Sequence, residues 1–156
     1  MICNANRAAY SGIKSGVIFV CFILVACKPV EGQSYAIGAD PGQQSIPAAW
    51  EGKSHDQLVE AVYDYTLSTM IAFRKAGVFP EMVQVGNEIS HGMLWPDGKL
   101  PDHWDNFTDL VQAGINGVQA SCGNNPCPEI MIHIDKGGNK EFTKFWFDKF
   151  HSYGIK

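Results

Sequence analysis

The stretch Met82-Val83-Gln84-Val85-Gly86-Asn87-Glu88 decides the fold of this chain. Its first five residues form a short, largely apolar run, which is typical of a strand buried between helices. Asn87 and Glu88 follow that run directly, at the carboxyl end of the predicted strand. Because barrel enzymes built on parallel strands collect their chemistry at that end, the stretch predicts an α/β fold with a polar site where the strand stops.

Helical patterns flank this strand. Upstream, Ser54 and Gln57 form a capping-box pair, apolar residues recur at helical spacing, and Gly77 is expected to be a left-handed cap. Downstream, the sequence to about residue 101 is predicted to be a polar loop. Asp102 is then expected to cap a second helix, because its carboxylate can accept from the first free backbone N–H groups.

A second strand is predicted from Glu129 to Ile134 (EIMIHI), followed by a tight loop over residues 135–139. A third helix is expected from Glu141 to Tyr153, ending at Gly154. Its predicted buried face comprises Phe142, Phe145, Trp146 and Phe150.

The elements alternate as helix, strand, helix, strand, helix, and no hairpin signal interrupts them. Such alternation predicts parallel strands in an α/β fold. The pattern alone leaves a doubly wound sheet and a (β/α)8 barrel open. The placement of polar residues favours the barrel, because Asn87 and Glu88 follow the first strand and His133 and Asp135 close the second.

The N-terminus has the features of a targeting segment. An apolar run from Gly16 to Ala26 is shorter than the roughly 20 residues that a membrane-spanning helix needs. Leu24-Val25-Ala26-Cys27 is similar to a bacterial lipobox, which makes Cys27 a candidate for a lipid anchor. A plain signal peptide or a buried strand are the alternatives. We predict a signal peptide over residues 1–27, a linker over 28–38, and a secreted or cell-surface protein.

Export would place Cys122 and Cys127 in an oxidising compartment. Turn-rich sequence separates them, so we predict a small disulfide loop. A zinc knuckle is the weaker alternative, because no second Cys or His pair accompanies them. No metal site and no cofactor are predicted.

The composition excludes two classes of protein. A hydrophobic content of 46% with 18% charged residues indicates a globular chain and not a disordered one. The net charge is −4 and no basic run occurs, which argues against nucleic-acid binding.

Glu88 is the strongest candidate for chemistry. A carboxyl group held just past a buried strand can stay protonated near neutral pH, as a general acid requires. Asn87 is placed to hydrogen-bond a substrate hydroxyl beside it. The alternative is a loop glutamate that caps the next turn.

The residues around this site resemble those of glycoside hydrolase family 53, the arabinogalactan endo-β-1,4-galactanases. The segment Met82 to Lys99 (MVQVGNEISHGMLWPDGK) carries the resemblance. Many barrel glycosidases share a valine-rich strand that ends in Asn-Glu, so GMLWPDG makes the match specific. Three further blocks are similar to the family and stand in its order: Ala39 to Trp50 (ADPGQQSIPAAW), Leu58 to Thr66 (LVEAVYDYT), and IMIHID with Gly137-Gly138.

This resemblance implies a (β/α)8 TIM barrel, of which residues 39–156 cover about strands three to five with their helices. It also implies retaining cleavage of β-1,4-galactan or arabinogalactan polysaccharide. Glu88 then corresponds to the acid/base, and Asn87 to the residue that contacts the sugar next to the cleaved bond.

Three further residues are expected to take part in binding. Trp95 is expected to be a sugar-stacking platform, and its alternative is a core residue that anchors its loop. His133 and Asp135 are expected to line the cleft, and their alternative is structural hydrogen bonding.

The resemblance also implies a group that this sequence does not supply. Retaining cleavage needs a second carboxylate about 5–5.5 Å from the first, and the family provides it from strand seven. The chain stops at Gly154-Ile155-Lys156, where strand six should begin. We therefore expect an enzyme fragment without its nucleophile, in which the aromatic residues of the third helix have too little sheet to cover them. A non-catalytic galactan-binding surface protein and an inert remnant are the alternatives.

Overall fold

The computed structural model describes residues 44–77 and 80–155. In these residues the elements are α1 (His55–Lys75), β1 (Met82–Gln84), β2 (Gly92–Met93), β3 (Gly98–Lys99), α2 (Trp104–Ser121), β4 (Glu129–Met131) and α3 (Lys140–Ser152). Short 3₁₀ helices cover Ala48–Trp50 and Ile89–His91. The predicted signal peptide, the linker and the lipid anchor at Cys27 lie outside the described residues.

The two longer strands pair in parallel, as the alternation of elements predicts. Val83 of β1 lies opposite Ile130 of β4, and α2 crosses between the two strands. Both strands are shorter than predicted, and at the end of β1 Gly86 adopts a φ of +77° that turns the chain out of the strand. The described residues form this mixed α/β unit and not a closed barrel.

The ends of α1 and α3 follow their sequence signals. The Ser54 side chain accepts a hydrogen bond from the Gln57 backbone N–H, which completes the predicted capping box of α1. Gly77 and Gly154 adopt φ values of +77° and +81°, as expected beyond the two helices. At the start of α3, the Asn139 side chain accepts from the third helical N–H.

The predicted start of α2 is wrong by one residue. His103, not Asp102, occupies the N-cap, and no side chain caps the helix there. The His103 N–H donates to the Lys99 carbonyl oxygen at 3.0 Å. This backbone turn fixes the entry into α2 without the Asp102 carboxylate.

Helix α1 packs closely against α2 because Gly117 of α2 carries no side chain. A Cβ atom on Gly117 would lie 2.8 Å from the Tyr63 carbonyl oxygen and 3.1 Å from the Leu67 backbone nitrogen. Both obstacles are backbone atoms of α1, which no rotamer change can move. Gly117 therefore sets how near the two helices approach.

A cluster of aromatic rings joins α2 to α3. The Trp146 ring is 1% exposed, and its centroid lies 5.8 Å from those of Trp104 and Phe107 and 5.0 Å from that of Phe150. The expectation that α3 lacks cover is wrong for Trp146 and Phe150, because rings of α2 cover them. The predicted burial of Phe145 is also wrong: its side chain is 60% exposed, since the helical turn directs it away from this cluster.

The segment after β1 is compact, whereas a polar loop was predicted. Strands β2 and β3 form a small antiparallel ladder, which the sequence pattern did not indicate. Its close pairing needs Gly92, at φ +88°, because a Cβ atom there would lie 1.9 Å from the Gly98 carbonyl oxygen. The apolar residues of the segment are buried: Ile89, Met93, Leu94 and Leu100. Across the described residues, no helix combines the length and apolar character needed to cross a membrane.

Candidate active site

Glu88 occupies a strained turn at the end of β1. Its backbone adopts φ +52° and ψ +41°, the left-handed region that non-glycine residues rarely populate. The residue is partly exposed and directly precedes the 3₁₀ helix Ile89–His91. Its side chain makes no capping hydrogen bond to that helix. The carboxylate is therefore not used as a cap, and such outliers often accompany functional sites.

Asn87 is held at three points. Its Oδ1 lies 3.2 Å from Gln84 Nε2 and 3.1 Å from His133 Nδ1. Its backbone carbonyl oxygen accepts from Gln44 Nε2 at 3.1 Å. The structure thus brings together Asn87 and His133, two of the predicted site residues, from the ends of β1 and β4.

Gln84 supports this arrangement from inside the fold. Its side chain is fully buried, and Nε2 donates to the Gly86 carbonyl oxygen at 2.7 Å as well as to Asn87. Its Oε1 is buried without a hydrogen-bond partner among the described residues. A glutamine within an apolar strand was the available sequence signal for this role, and the predictions did not use it.

Ser90 fastens the turn that follows Glu88. Its Oγ accepts from the Asp135 backbone N–H at 3.1 Å, and its carbonyl oxygen accepts from Trp146 Nε1 at 3.2 Å. The Ile89 N–H donates to the His133 carbonyl oxygen at 3.0 Å. The turn is therefore tied to the end of β4 and to α3.

Asp135 carries a charge that is stable to acid. Hydrogen bonds from Lys136 and Ser90 lower the pKa of its carboxyl group to about 2. Burial acts in the opposite direction but is outweighed. Lys136 Nζ lies 2.8 Å from the carboxylate. An exposed carboxylate next to the Ser90 turn is thus ionised over the whole pH range in which most enzymes work.

Trp95 is both anchored and accessible. Its indole Nε1 donates to the His91 carbonyl oxygen at 2.9 Å, and its backbone N–H donates to the Gln44 carbonyl oxygen at 2.6 Å. The side chain remains partly exposed, and Lys99 Nζ lies 4.8 Å from the ring centroid. These contacts fit the anchoring role, and the exposed part of the ring fits the stacking role.

A histidine and two aspartates fix the turn beyond Trp95. His55 Nδ1 lies 2.8 Å from Asp97 Oδ2, and Nε2 lies 3.5 Å from Asp109 Oδ2. Burial lowers the pKa of His55, but hydrogen bonds and charge interactions with the two aspartates outweigh it and raise the pKa above 6.5. Asn106 Nδ2 also donates to Asp97. The two contacts of His55 span more than 40 residues of sequence, so no local signal pointed to them.

The structure joins Cys122 and Cys127 in a disulfide at the end of α2. Arg74 of α1 donates to the Cys122 carbonyl oxygen, which ties the ends of the two helices together. In the described parts of the chain, no group of three or more His, Cys, Asp or Glu side chains is arranged to hold a metal ion.

Comparison with known proteins gives consistent matches. Residues 36–156 match the model of Glycosyl hydrolase family 53. The arabinogalactan endo-beta-1,4-galactanase of Humicola insolens is 39% identical over 116 residues, which are 74% of this chain and 34% of that protein. A chain from the structures of two fungal beta-1,4-galactanases has a TM-score of 0.68 and 38% identity, covering 75% of this chain and 34% of that chain.

The Ignisphaera aggregans GH53 catalytic domain is similar to the same degree. Its TM-score is 0.68 at 37% identity, and the match covers 76% of this chain and 32% of that domain. This chain therefore spans about a third of the length of the relatives that it matches.

Proposed function

This chain belongs to glycosyl hydrolase family 53, and from that premise we propose that it acts in the retaining cleavage of β-1,4-galactan, with Glu88 as the acid/base. The observation that carries the proposal is the position of Glu88. The residue follows a buried strand in a left-handed turn, and its carboxylate is not used as a cap. The names of the relatives, which are galactanases, support the substrate.

In this reaction Glu88 first protonates the oxygen of the leaving sugar and later removes a proton from water. A second carboxylate about 5–5.5 Å away must attack the anomeric carbon. The resemblance implies that this group comes from strand seven of a (β/α)8 barrel and that the elements described here are about strands three to five. We therefore assign to the described residues the acid/base half of the site.

The remaining site residues are proposed to bind the polysaccharide. Asn87 contacts a hydroxyl of the sugar beside the cleaved bond, and His133 and Asp135 line the same edge of the cleft. Trp95 offers a ring on which a galactose face stacks. Support comes from the contacts that fix Asn87 and Trp95, since a pre-organised site loses less entropy when the sugar binds.

We also propose that the protein is exported and is secreted or held at the cell surface, with Cys27 as the site of a lipid anchor. A disulfide between Cys122 and Cys127 fits an oxidising compartment. Release of the mature chain into the medium, compared between wild type and Cys27→Ala, tests this anchor.

The test of the activity is release of reducing sugar from β-1,4-galactan by the purified chain. If another carboxylate of the chain, or a second copy of it, completes the site, Glu88→Gln is expected to lower the rate by about 10²–10⁴-fold, the usual contribution of a general acid. Glu129→Gln is the matched control, because Glu129 is exposed at the opposite end of β4. With an aryl galactobioside, whose leaving group needs no proton, Glu88→Gln should lower the rate of the first step much less.

An equal rate for wild type and Glu88→Gln would overturn the assignment of the acid/base. A folded wild-type chain that releases no sugar would refute hydrolysis by this chain alone. Retention of that chain on immobilised galactan would then favour the alternative of a non-catalytic galactan-binding surface protein. Absence of a helical circular dichroism signal would favour the inert remnant.

A further inference from the structure

We propose that the Gly86 carbonyl, acting through Gln84, sets both the orientation of the Asn87 amide and the tautomer of His133. The result is a free donor on Asn87 and a free acceptor on His133, and the acceptor selects a ligand that carries a hydroxyl group. Gln84 is a positioning residue in this relay. The identity of the ligand rests on the proposed function, but the relay itself does not.

The relay begins at a group whose role is fixed. A backbone carbonyl oxygen can only accept a hydrogen bond. The Gln84 atom 2.7 Å from the Gly86 oxygen must therefore be Nε2. Turning this amide over would place Oε1 against the carbonyl, so that two acceptors would face each other inside the fold. The orientation of Gln84 thus follows from the backbone.

The second step passes this polarity to Asn87. Gln84 Nε2 has two N–H groups, and the one not used by Gly86 points to an Asn87 atom 3.2 Å away. Since Gln84 donates there, the Asn87 atom must be the acceptor Oδ1. The Asn87 Nδ2 group is consequently turned away from Gln84.

The third step fixes the proton on His133. Its Nδ1 lies 3.1 Å from the same Asn87 Oδ1. That oxygen can only accept, so Nδ1 must carry a proton. In a neutral imidazole one nitrogen donates and the other accepts. His133 therefore keeps a free lone pair on Nε2, the less common tautomer of a free imidazole in water.

Two groups remain for a ligand. Within residues 44–77 and 80–155, neither Asn87 Nδ2 nor His133 Nε2 has a hydrogen-bond partner, and neither belongs to the fully buried atoms. A hydroxyl group both donates and accepts. A sugar hydroxyl can donate to His133 Nε2, and a second oxygen of the sugar can accept from Asn87 Nδ2. A carbonyl or ether oxygen carries no proton and cannot donate to His133 Nε2.

The relay is tested by nuclear magnetic resonance of the full chain labelled with ¹⁵N. Long-range ¹H–¹⁵N correlations distinguish the tautomers of the five histidines, and His133→Gln assigns the signal. The expected result is that neutral His133 is protonated on Nδ1. A neutral His133 protonated mainly on Nε2 would overturn the proposal, and this wild-type measurement depends on no variant.

Gln84→Met tests the positioning role. It keeps the length of the side chain but removes both donors, so the Asn87 amide can turn over and His133 should shift to a mixture of tautomers. Gln119→Met, at an exposed position of α2, is the control and should leave the signal unchanged. If Gln84→Met does not fold, Asn87→Leu, which removes Oδ1, should cause the same shift. An unchanged tautomer in a folded variant would contradict the relay.

Titration with β-1,4-galactotriose separates the relay from the ligand. A shift of the His133 Nε2 resonance, absent in Asn87→Leu, would support a bound hydroxyl. No shift in a chain that shows the predicted tautomer would overturn the sugar assignment and count against the proposed function. In that case the relay would stand as a structural finding.

Discussion

Trp146→Phe should destabilise the chain more than the same substitution at Trp104. Both rings belong to the aromatic cluster between α2 and α3, and both substitutions remove a similar volume. Trp146 differs because its Nε1 donates to the buried Ser90 carbonyl oxygen. Among the described residues, the Trp104 indole N–H makes no such bond. Both rings are largely buried, with Trp104 8% and Trp146 1% exposed, so this hydrogen bond is the main difference between the two substitutions.

The magnitude follows from the buried acceptor. Leaving a buried polar group without its partner costs about 1–3 kcal/mol. We expect Trp146→Phe to lower the free energy of unfolding by about 2 kcal/mol more than Trp104→Phe does. Urea denaturation followed by far-ultraviolet circular dichroism measures both values. Equal losses, at equal slopes against urea, would refute the reasoning that Trp146 holds the turn after Glu88.

Three further outcomes are expected. Gly117→Ala should lower the free energy of unfolding by about 1–3 kcal/mol despite the better helix propensity of alanine, because the α1 backbone cannot move aside. Gly137→Ala, at a position with open space around it, is the control and should be nearly neutral. Equal melting temperatures of the two variants would contradict this account. His55 has a raised pKa, so its charged form stabilises the fold. That contribution is complete below pH 6.5, the pKa of His55 in the unfolded chain, and is lost as the pH rises through the pKa in the folded chain. His55→Gln should abolish this pH dependence of the melting temperature. If the pH dependence persists in the variant, another group is its source. Replacing Cys122 and Cys127 by Ser should cost about 2 kcal/mol for so short a loop, measured by denaturation without reductant, and no change would argue against the bridge.

Local signals predicted the parts of the fold that local interactions determine. Ser54 caps α1 with its own helix, and Gly77 and Gly154 adopt the left-handed conformation that favours glycine. The parallel pairing of β1 and β4 followed from the alternation of elements, but the predicted burial of both strands is wrong for β4, which is only partly buried. The caps depend on residues that are close together in sequence, whereas Met82 and Glu129, which pair across the two strands, are 47 positions apart (129 − 82) and were placed only by the order of elements.

The compact segment after Glu88 could not be predicted in this way. Ile89, Met93 and Leu94 follow neither a helical nor a strand period, so their burial depends on elements that are distant in sequence. The position of Phe145 was wrong because an aromatic residue near a helical stripe was assigned to it, although the turn places the side chain outside.

The candidate site also has one part that the sequence could predict and one part that it could not. Asn87 and Glu88 could be placed at the end of a strand, because the strand and the two polar residues are adjacent. The contacts of Asn87 with Gln44 and His133 join residues more than 40 positions apart. No periodicity reports such contacts, so the orientation of the Asn87 amide became accessible only with the fold.

The lysine over Trp95 makes the two faces of this ring unequal. An indole has two faces, and Lys99 lies above one of them, 4.8 Å from the centroid. A stacked galactose residue must then approach from the other side. Lys99, without touching the sugar, would therefore restrict the proposed stacking to a single face of the ring.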